Sequence, residues 1–195
     1  MNTDNLTLLI HRFQDGDCDA INQIIRYWYK PILNYLYRFL GNMDDAEDVC
    51  QQTFVKVYKH LKTLKKPEKF KIWIYRIALN EAKNNYRWNK RNKQKQDQFT
   101  ESENRIENKH HEKIEAKILD KQVRDIFERL FLQIPVEQRV VIILKIYQDL
   151  KFSEVAELLS QSENTVKSRF YYGLRSIRKI IEQENLGEEL KKHGL

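Results

Sequence analysis

The chain has 195 residues, and its 35 Lys and Arg outnumber its 28 Asp and Glu, giving a formal net charge of +7 at pH 7. This excess favours polyanionic partners, with nucleic acid ahead of an anionic membrane. No apolar run approaches the roughly 20 residues that span a bilayer, and residues 1–10 lack the features of a secretory signal.

Apolar residues divide the chain into three zones. Only 5 Gly and 3 Pro are present, which predicts long helices and few strands. Residues 6–90 and 118–185 carry apolar residues at helical spacing, whereas residues 91–117 are too polar to bury a core. The sequence therefore predicts an all-α protein with two small helical domains, an N-terminal helical bundle and a C-terminal helix-turn-helix, joined by a flexible polar linker.

Helix signals follow one another through the first zone. The apolar stripe from Ile21 to Trp28 forms one helical face, and Pro31 then either starts a second helix or bends the first. Gly41 is the expected C-cap of this region. Asp44 is the expected N-cap of the next helix, with Glu47 completing a capping box.

That next helix begins with a dense acidic cluster in a basic chain. Its first turns contain Asp44, Asp45, Glu47 and Asp48. Acidic side chains suit the positive end of a helix dipole. The cluster can therefore be explained either by stabilisation of the helix start or by a role as a docking surface.

The last helix of the first zone, expected from about Lys71 to Trp88, interleaves aromatic and basic side chains. The aromatic residues include Trp73, Tyr75 and Tyr86, and the cations among them are Lys71, Arg76, Lys83 and Arg87. Such a face suits single-stranded nucleic acid, because bases stack on rings while cations follow the phosphates. The alternative is that the aromatic residues form core and the cations a solvated face.

The third zone contains two short helices joined by a polar turn. Ser162 is the expected N-cap of the second helix, whose inward stripe comprises Val166, Phe170, Leu174 and Ile177. Off this stripe lie side chains that can donate to bases and phosphates, namely Asn164, Thr165, Lys167, Ser168 and Arg169. The pattern is typical of a helix-turn-helix whose second helix enters the major groove. An ordinary helical hairpin with a polar outer face is the alternative.

Four segments that occur in a fixed order identify a protein family more specifically than any one of them alone. Residues 37–54 read YRFLGNMDDAEDVCQQTF, 70–80 read FKIWIYRIALN, 134–139 read IPVEQR and 165–169 read TVKSR. Together they resemble bacterial RNA polymerase sigma factors of the extracytoplasmic-function (ECF) group in the sigma-70 family. The resemblance covers nearly the whole chain apart from the linker and the two ends.

The resemblance implies three binding surfaces. The surface that docks on core polymerase corresponds to Asp44, Asp45, Glu47, Asp48, Gln51, Gln52 and Phe54. The surface that recognises and opens the minus-ten promoter element corresponds to Lys66, Lys71, Trp73, Arg76, Asn80, Lys83, Asn84 and Arg87. The helix that reads the minus-thirty-five element as duplex corresponds to Ser162, Asn164, Thr165, Lys167, Ser168, Arg169, Tyr172 and Arg175.

Two positions depart from the pattern of this group. Many members carry Asp at the place of Asn84, and many carry Arg-Ala in place of Tyr172 and Gly173. The first departure bears on minus-ten recognition, and the second removes a phosphate contact. Both favour a promoter sequence particular to this chain.

The implied function is that of a sigma factor, which binds core RNA polymerase, directs it to promoters and promotes DNA opening. We expect no enzymatic activity, no cofactor, a monomeric free state, no membrane insertion and an anti-sigma factor as a further partner. The rival is a stand-alone helix-turn-helix regulator, a class that usually binds palindromes as a dimer. No His, Asp or Glu spacing indicates a metal site, and the isolated Cys18 and Cys50 fit a reduced, cytoplasmic setting.

Overall fold

The structure, a computed structural model, describes residues 3–96, 126 and 129–186, and within them it contains helices and no strand. The expected all-α class is confirmed. The helices of the N-terminal domain are α1 (Thr3–Gln14), α2 (Cys18–Leu40), α3 (Met43–His60) and α4 (Phe70–Gln96). Two 3-10 turns, Leu61–Thr63 and Pro67–Lys69, connect α3 to α4.

Helix α2 is continuous, and Pro31 lies inside it. A separate second helix starting at this proline, one of the two alternatives, is therefore excluded. The buried Trp28, Ile32 and Tyr35 continue the same inward face across the proline, so apolar packing offsets the hydrogen bond that proline removes. At the end of α2, Gly41 has φ 77° and donates its N–H to the Tyr37 carbonyl, which confirms the expected C-cap.

Helix α3 begins two residues earlier than the acidic cluster suggests. Its N-cap is Asn42, whose side-chain oxygen accepts from the Asp45 N–H at 2.9 Å. The prediction of Asp44 as N-cap is therefore wrong, because Asn42, a residue type that caps about as well as Asp, occupies that position two residues earlier. Asp44 and Asp45 lie instead in the first turn, where they complement the helix dipole.

The C-terminal domain contains helical residues 129–133, α5 (Val136–Ile142), a π-helical turn (Ile143–Tyr147), α6 (Phe152–Leu159) and α7 (Glu163–Gln183). Helices α6 and α7 form the expected helix-turn-helix pair. Ser160 between them has φ 54°, and the Ser162 hydroxyl accepts from the Thr165 N–H at 3.0 Å. The prediction of Ser162 as N-cap is thus confirmed.

Gly173 lies where α7 packs on α5. A Cβ atom added to it would lie 2.6 Å from Cδ1 of Ile142 and 3.1 Å from Cβ of Gln138. The predicted inward stripe is therefore wrong at one position, since Gly173 is buried while Leu174 is 38% exposed. A glycine carries no hydrophobic signal, so the periodicity selected its leucine neighbour.

The two domains pack against each other. One cluster of buried apolar side chains extends from α1–α4 into α5, α6 and α7. A second, smaller cluster lies within the C-terminal domain and comprises Ile126, Leu130, Phe131, Ile134, Ile142 and Ile177. Helix α4 runs on to Gln96, so the first residues of the predicted linker 91–117 are helical, and the rest of that linker lies outside the described residues.

Candidate nucleic-acid interface

The acidic cluster forms an exposed patch on the first turns of α3. Of the residues expected to dock on a partner, Asp44, Glu47, Asp48, Gln51 and Gln52 are exposed. Asp45 is partly buried, and its carboxylate accepts from the Asn85 amide of α4 at 3.4 Å. The arrangement leaves most of the carboxylates available to a basic or mixed surface.

Phe54 lies under this patch rather than on it. It is 7% exposed, and its ring stacks on that of Tyr29 at a centroid distance of 6.1 Å. A residue this buried cannot present its ring to a partner, because the ring already packs against Tyr29 of α2. We therefore correct the expectation that Phe54 contacts a partner: its side chain belongs to the core of the N-terminal domain.

Four residues of the expected minus-ten surface lie together on α4. Asn80, Lys83, Asn84 and Arg87 line one surface groove with Lys56 and Glu81, which form an ion pair at 2.6 Å. Their spacing of three or four residues places them on one helix face. Partial burial, followed by the charge of Arg87, lowers the pKa of Lys83. The groove therefore presents amides and cations, which suit base edges and phosphates.

The aromatic residues of α4 are mostly core. Tyr75 is 1% exposed, and its hydroxyl is hydrogen-bonded to the Gln148 side chain of the C-terminal domain. Trp73 is partly buried beside Phe70, with ring centroids 5.7 Å apart. The idea that Tyr75 stacks on bases is wrong, because α2 and the C-terminal domain close over its ring. Tyr86 remains 38% exposed.

The other three cations of the expected minus-ten surface differ in their contacts. Lys66 is exposed in the connection between α3 and α4. Lys71 donates from Nζ to the Gln148 carbonyl at 2.8 Å. Arg76 donates from Nη2 to the Glu157 carbonyl at 2.7 Å. In this conformation, two of the three are therefore bound to the C-terminal domain.

Helix α7 presents the expected minus-thirty-five residues on its outer face. Ser162, Asn164, Thr165, Ser168, Tyr172 and Arg175 are exposed. Lys167 is ion-paired with Glu163 at 2.7 Å, and Arg169 donates to the Gln161 side chain at 2.7 Å. Both cations are partly exposed, and Lys167 also lies 5.9 Å from the centroid of the Phe152 ring. The first two turns of α7 thus carry a polar and basic face of the kind that enters a major groove.

Sequence reasoning missed the residues that join the two domains. Arg139 of α5 is 4% exposed and donates from Nη1 to the Phe39 carbonyl at 2.9 Å. Lys69 pairs with Glu157 at 2.5 Å, and Gln148 bonds both Lys71 and Tyr75. Arg139 offered a weak signal, since it directly precedes the apolar run that begins at Val140. Gln148 and Glu157 offered no such signal, because their partners lie more than 70 positions away in the sequence.

These features define a class of protein: a two-domain helical DNA-binding protein with an additional exposed acidic face. The described residues contain no helix long and apolar enough to cross a membrane. The described part of the chain also lacks any group of three or more His, Cys, Asp or Glu that could hold a metal ion.

Comparisons with known proteins specify the family. Residues 24–92 match Sigma-70 region 2, and residues 124–177 match Sigma-70 region 4. The chain is 28% identical to the ECF RNA polymerase sigma factor SigW of Bacillus subtilis over 181 residues, which cover 88% of this chain and 94% of that protein. It is 30% identical to the ECF RNA polymerase sigma-E factor of Escherichia coli K12 over 174 residues, covering 87% and 91%.

A solved structure supports the same fold. The sigma factor RpoE of Bartonella quintana, in complex with the anti-sigma factor NepR, matches with a TM-score of 0.67 at 19% identity, covering 83% of this chain and 96% of that one. The chain belongs to the ECF sigma factors of the sigma-70 family. Its function is to direct RNA polymerase to promoters and initiate transcription.

Proposed function

We propose that this sigma factor binds its partners through three surfaces: the acidic patch of α3, the groove of α4 and the outer face of α7. The proposal rests on the difference in charge between these surfaces. An exposed carboxylate cluster lies on α3, whereas faces rich in amides and cations lie on α4 and α7. DNA repels the first and attracts the other two, so the patch suits a protein partner and the faces suit a promoter.

The acidic patch is proposed to dock on core RNA polymerase. Its exposed members Asp44, Glu47 and Asp48, with Gln51 and Gln52, lie on the first turns of α3, whose backbone is fixed by the Asn42 cap. Phe54 holds the surface from beneath through its contact with Tyr29. A rigid helix presenting charge at fixed spacing suits recognition of a complementary helix.

The groove of α4 is proposed to bind the minus-ten element as it opens. Asn80 and Asn84 can pair with base edges, while Lys83 and Arg87 can hold adjacent phosphates. Lys66, Lys71 and Arg76 extend this basic face towards the start of the helix. Trp73, which is only partly exposed, is proposed to brace a displaced base rather than to stack freely on it.

The outer face of α7 is proposed to read the minus-thirty-five element. Ser162, Asn164, Thr165 and Ser168 lie at the start of the helix, which is the end that contacts bases in helix-turn-helix proteins. Lys167, Arg169 and Arg175 would add phosphate or base contacts, and Tyr172 would lie at the edge of the groove. The Ser162 and Thr165 hydroxyls are hydrogen-bonded to each other at 2.7 Å. A DNA contact by the Ser162 hydroxyl would therefore affect the same side chain that caps α7.

We further propose that the chain catalyses no reaction itself, works in the cytoplasm and binds an anti-sigma factor. The first follows from the family, whose members act through the polymerase. The cytoplasmic setting follows from the location of that polymerase. The anti-sigma partner rests on the structural relative, which was solved with one.

Footprinting distinguishes this function from that of a stand-alone regulator. Reconstituted holoenzyme and free chain are compared on genomic fragments that the holoenzyme transcribes. We expect protection of two separated elements by the holoenzyme and weak or no protection by the free chain. Protection of a palindrome by a dimer of the free chain, unchanged by core polymerase, would contradict the proposal.

A further inference from the structure

The groove of α4 contains one acid among its cations and amides. Glu81 is the only acid among the groove-lining residues that the structure describes. Its side chain is 15% exposed, and Oε1 lies 2.6 Å from Nζ of Lys56 on α3. An anion at this place works against phosphate binding, which supplies much of the affinity of a protein for DNA. The acid therefore weakens DNA binding unless the DNA provides it with a hydrogen-bond donor.

The ion pair with Lys56 uses only part of the bonding capacity of Glu81. An ionised carboxylate accepts hydrogen bonds at two oxygens, each with two lone pairs. Lys56 binds Oε1, and Oε2 has no hydrogen-bond or ion-pair partner in the part of the chain that the structure describes. Glu81 therefore lines the groove with an acceptor that the protein leaves unused.

Helical spacing places Glu81 among the residues that are proposed to read bases. Asn80 is its neighbour in the sequence, and Asn84 follows three residues later, which puts it on the same side of the helix. Ile77, one turn earlier and partly buried, supplies an apolar part of the lining. A base edge that reaches the two amides in this groove therefore also meets the carboxylate.

DNA offers a carboxylate only the N–H groups of its bases. In the major groove these donors are the exocyclic amines, N4 of cytosine and N6 of adenine, whereas guanine and thymine present the keto oxygens O6 and O4. A keto oxygen facing Glu81 would be repelled and would leave Oε2 without a donor. The amides of Asn80 and Asn84 cannot discriminate in this way, because an amide both donates and accepts.

We propose that Glu81 is a specificity-determining residue of the minus-ten surface, where it accepts a hydrogen bond from the exocyclic amine of cytosine or adenine at one position of the element. Lys56 compensates the charge of the carboxylate and leaves its second oxygen available. The inference rests on the proposed assignment of the α4 groove to the minus-ten element. It adds one acid that reads bases to a face whose other polar members are amides and cations.

The test removes the acceptor from the protein and the donor from the DNA, separately and together. Holoenzymes that contain the parent chain, Glu81→Ala or Glu81→Gln are titrated with promoter duplexes. In these duplexes each adenine or cytosine of the minus-ten element is replaced in turn by purine or pyrimidin-2-one, which lack the amine. The affinity ratio between natural and modified DNA reports the amine contact. Weaker pairing by the analogue is common to all holoenzymes, so it cancels when their ratios are compared.

We expect one position at which removal of the amine costs the parent about tenfold in affinity, the usual size for one hydrogen bond to a charged group. Glu81→Ala should show no such loss at that position and should respond like the parent at all others. Glu81→Gln keeps the size of the side chain. It should lose most of the preference and tolerate guanine or thymine there, because its amide can also donate to a keto oxygen.

Two further variants separate base reading from a structural role. Lys56→Met removes the ion pair and keeps the carboxylate, so overall affinity should fall while the preference for the amine persists. Glu182→Ala removes an exposed acid that is paired with Arg178, and it should match the parent. If Lys56→Met and Glu81→Ala weaken binding equally at every position, the pair is only structural and the inference is overturned.

An amine effect of equal size in the parent and in both Glu81 variants, or none at any position in the parent, would also overturn the inference. Pull-down titration with core polymerase checks that each variant is folded, and Glu81→Gln carries the test if Glu81→Ala is not. Failure of the parent holoenzyme to protect the minus-ten element at all is a separate result, which would contradict the proposed function itself.

Discussion

Arg139 and Phe39 link the two domains at the end of α2. Nη1 of Arg139 donates to the Phe39 carbonyl at 2.9 Å, while Nη2 donates to the Leu132 carbonyl at 2.9 Å. Burial lowers the pKa of this guanidinium, and the groups that bind it are carbonyls rather than a carboxylate. One buried side chain therefore satisfies backbone groups of both domains.

We expect Arg139→Ala to destabilise the chain by about 2–4 kcal/mol, because buried carbonyls would lose their donor and a cavity would remain. Arg139→Lys should retain only part of the stability, since an ammonium cannot reproduce the fork geometry. Urea unfolding with a constant m-value measures both. Arg178→Ala, which removes an exposed ion pair, is the control and should change stability by less than about 0.5 kcal/mol. An Arg139→Ala effect as small as the control's would mean that the link is not structural.

Asp48→Lys should weaken binding to core polymerase while leaving the fold intact. Asp48 is exposed on α3, so reversing its charge alters the docking patch and little else. The loss of thermal stability should stay below about 1 kcal/mol, the usual limit for an exposed charge near a helix start. A pull-down titration with core polymerase measures the affinity. Asp15→Lys, an exposed acid between α1 and α2, is the matched control, and equal affinities for the two variants would argue against the docking assignment.

Arg169→Ala should act on the upstream element. The loss of binding at the cognate minus-thirty-five site should be about 1–3 kcal/mol if Arg169 contacts a base, whereas a phosphate contact would lower the salt slope by about one. Footprints of the variant holoenzyme across a salt series separate these two results. Lys179→Ala on the same helix is the control, because Lys179 is exposed and lies outside the proposed reading face. A variant that matches this control at all salt concentrations would place Arg169 outside the interface.

Asn80→Ala should impair promoter opening without affecting core binding or upstream binding. Asn80 is exposed in the α4 groove beside Lys83 and Asn84, so its amide can pair with a base as the strands part. Permanganate reactivity of thymines near the start site measures opening. A pre-melted template should rescue part of the defect, because it removes an unpairing cost of about a few kcal/mol. Normal opening by Asn80→Ala, as expected for the α2 control Asn22→Ala, would make this face structural.

Cys50 should be unreactive in the native chain. Burial, followed by the nearby charge of Glu47, raises the pKa of its thiol to about 12, so almost no thiolate forms near neutral pH. A thiol-specific reagent should therefore modify one cysteine, the exposed Cys18, and modify both only in denaturant. Reaction of two thiols under native conditions would show that the contact between α2 and α3 opens readily.

Local chemistry made much of the fold predictable. Gly41 was recognisable as a C-cap and Ser162 as an N-cap, because each residue type meets a backbone requirement that few others meet. The acidic start of α3 and the polar face of α7 were likewise visible, since exposed charge at helical spacing depends little on tertiary context. The start of α3 was misplaced because the acidic cluster pointed to Asp44, whereas Asn42 caps the helix.

The rest depends on contacts that sequence separation hides. Tyr75 is buried because α2 and the C-terminal domain close over it, and nothing in its own helix distinguishes it from Tyr86. Gly173 replaces Leu174 in the core because α5 approaches closely there. The engagement of Arg76 by α6 requires knowing how the domains pack. Periodicity describes each helix alone and cannot supply that information.

Run-off transcription with purified core polymerase from the same organism tests the central claim most directly. Genomic fragments, including the region upstream of this protein's own gene, are transcribed with core enzyme alone, with the added parent chain and with added Asn80→Ala. The account predicts discrete transcripts that require the parent chain, start at fixed distances from two shared sequence elements and weaken with the variant. Transcripts that are independent of the chain, or none from any fragment despite stable binding to core polymerase, would contradict it.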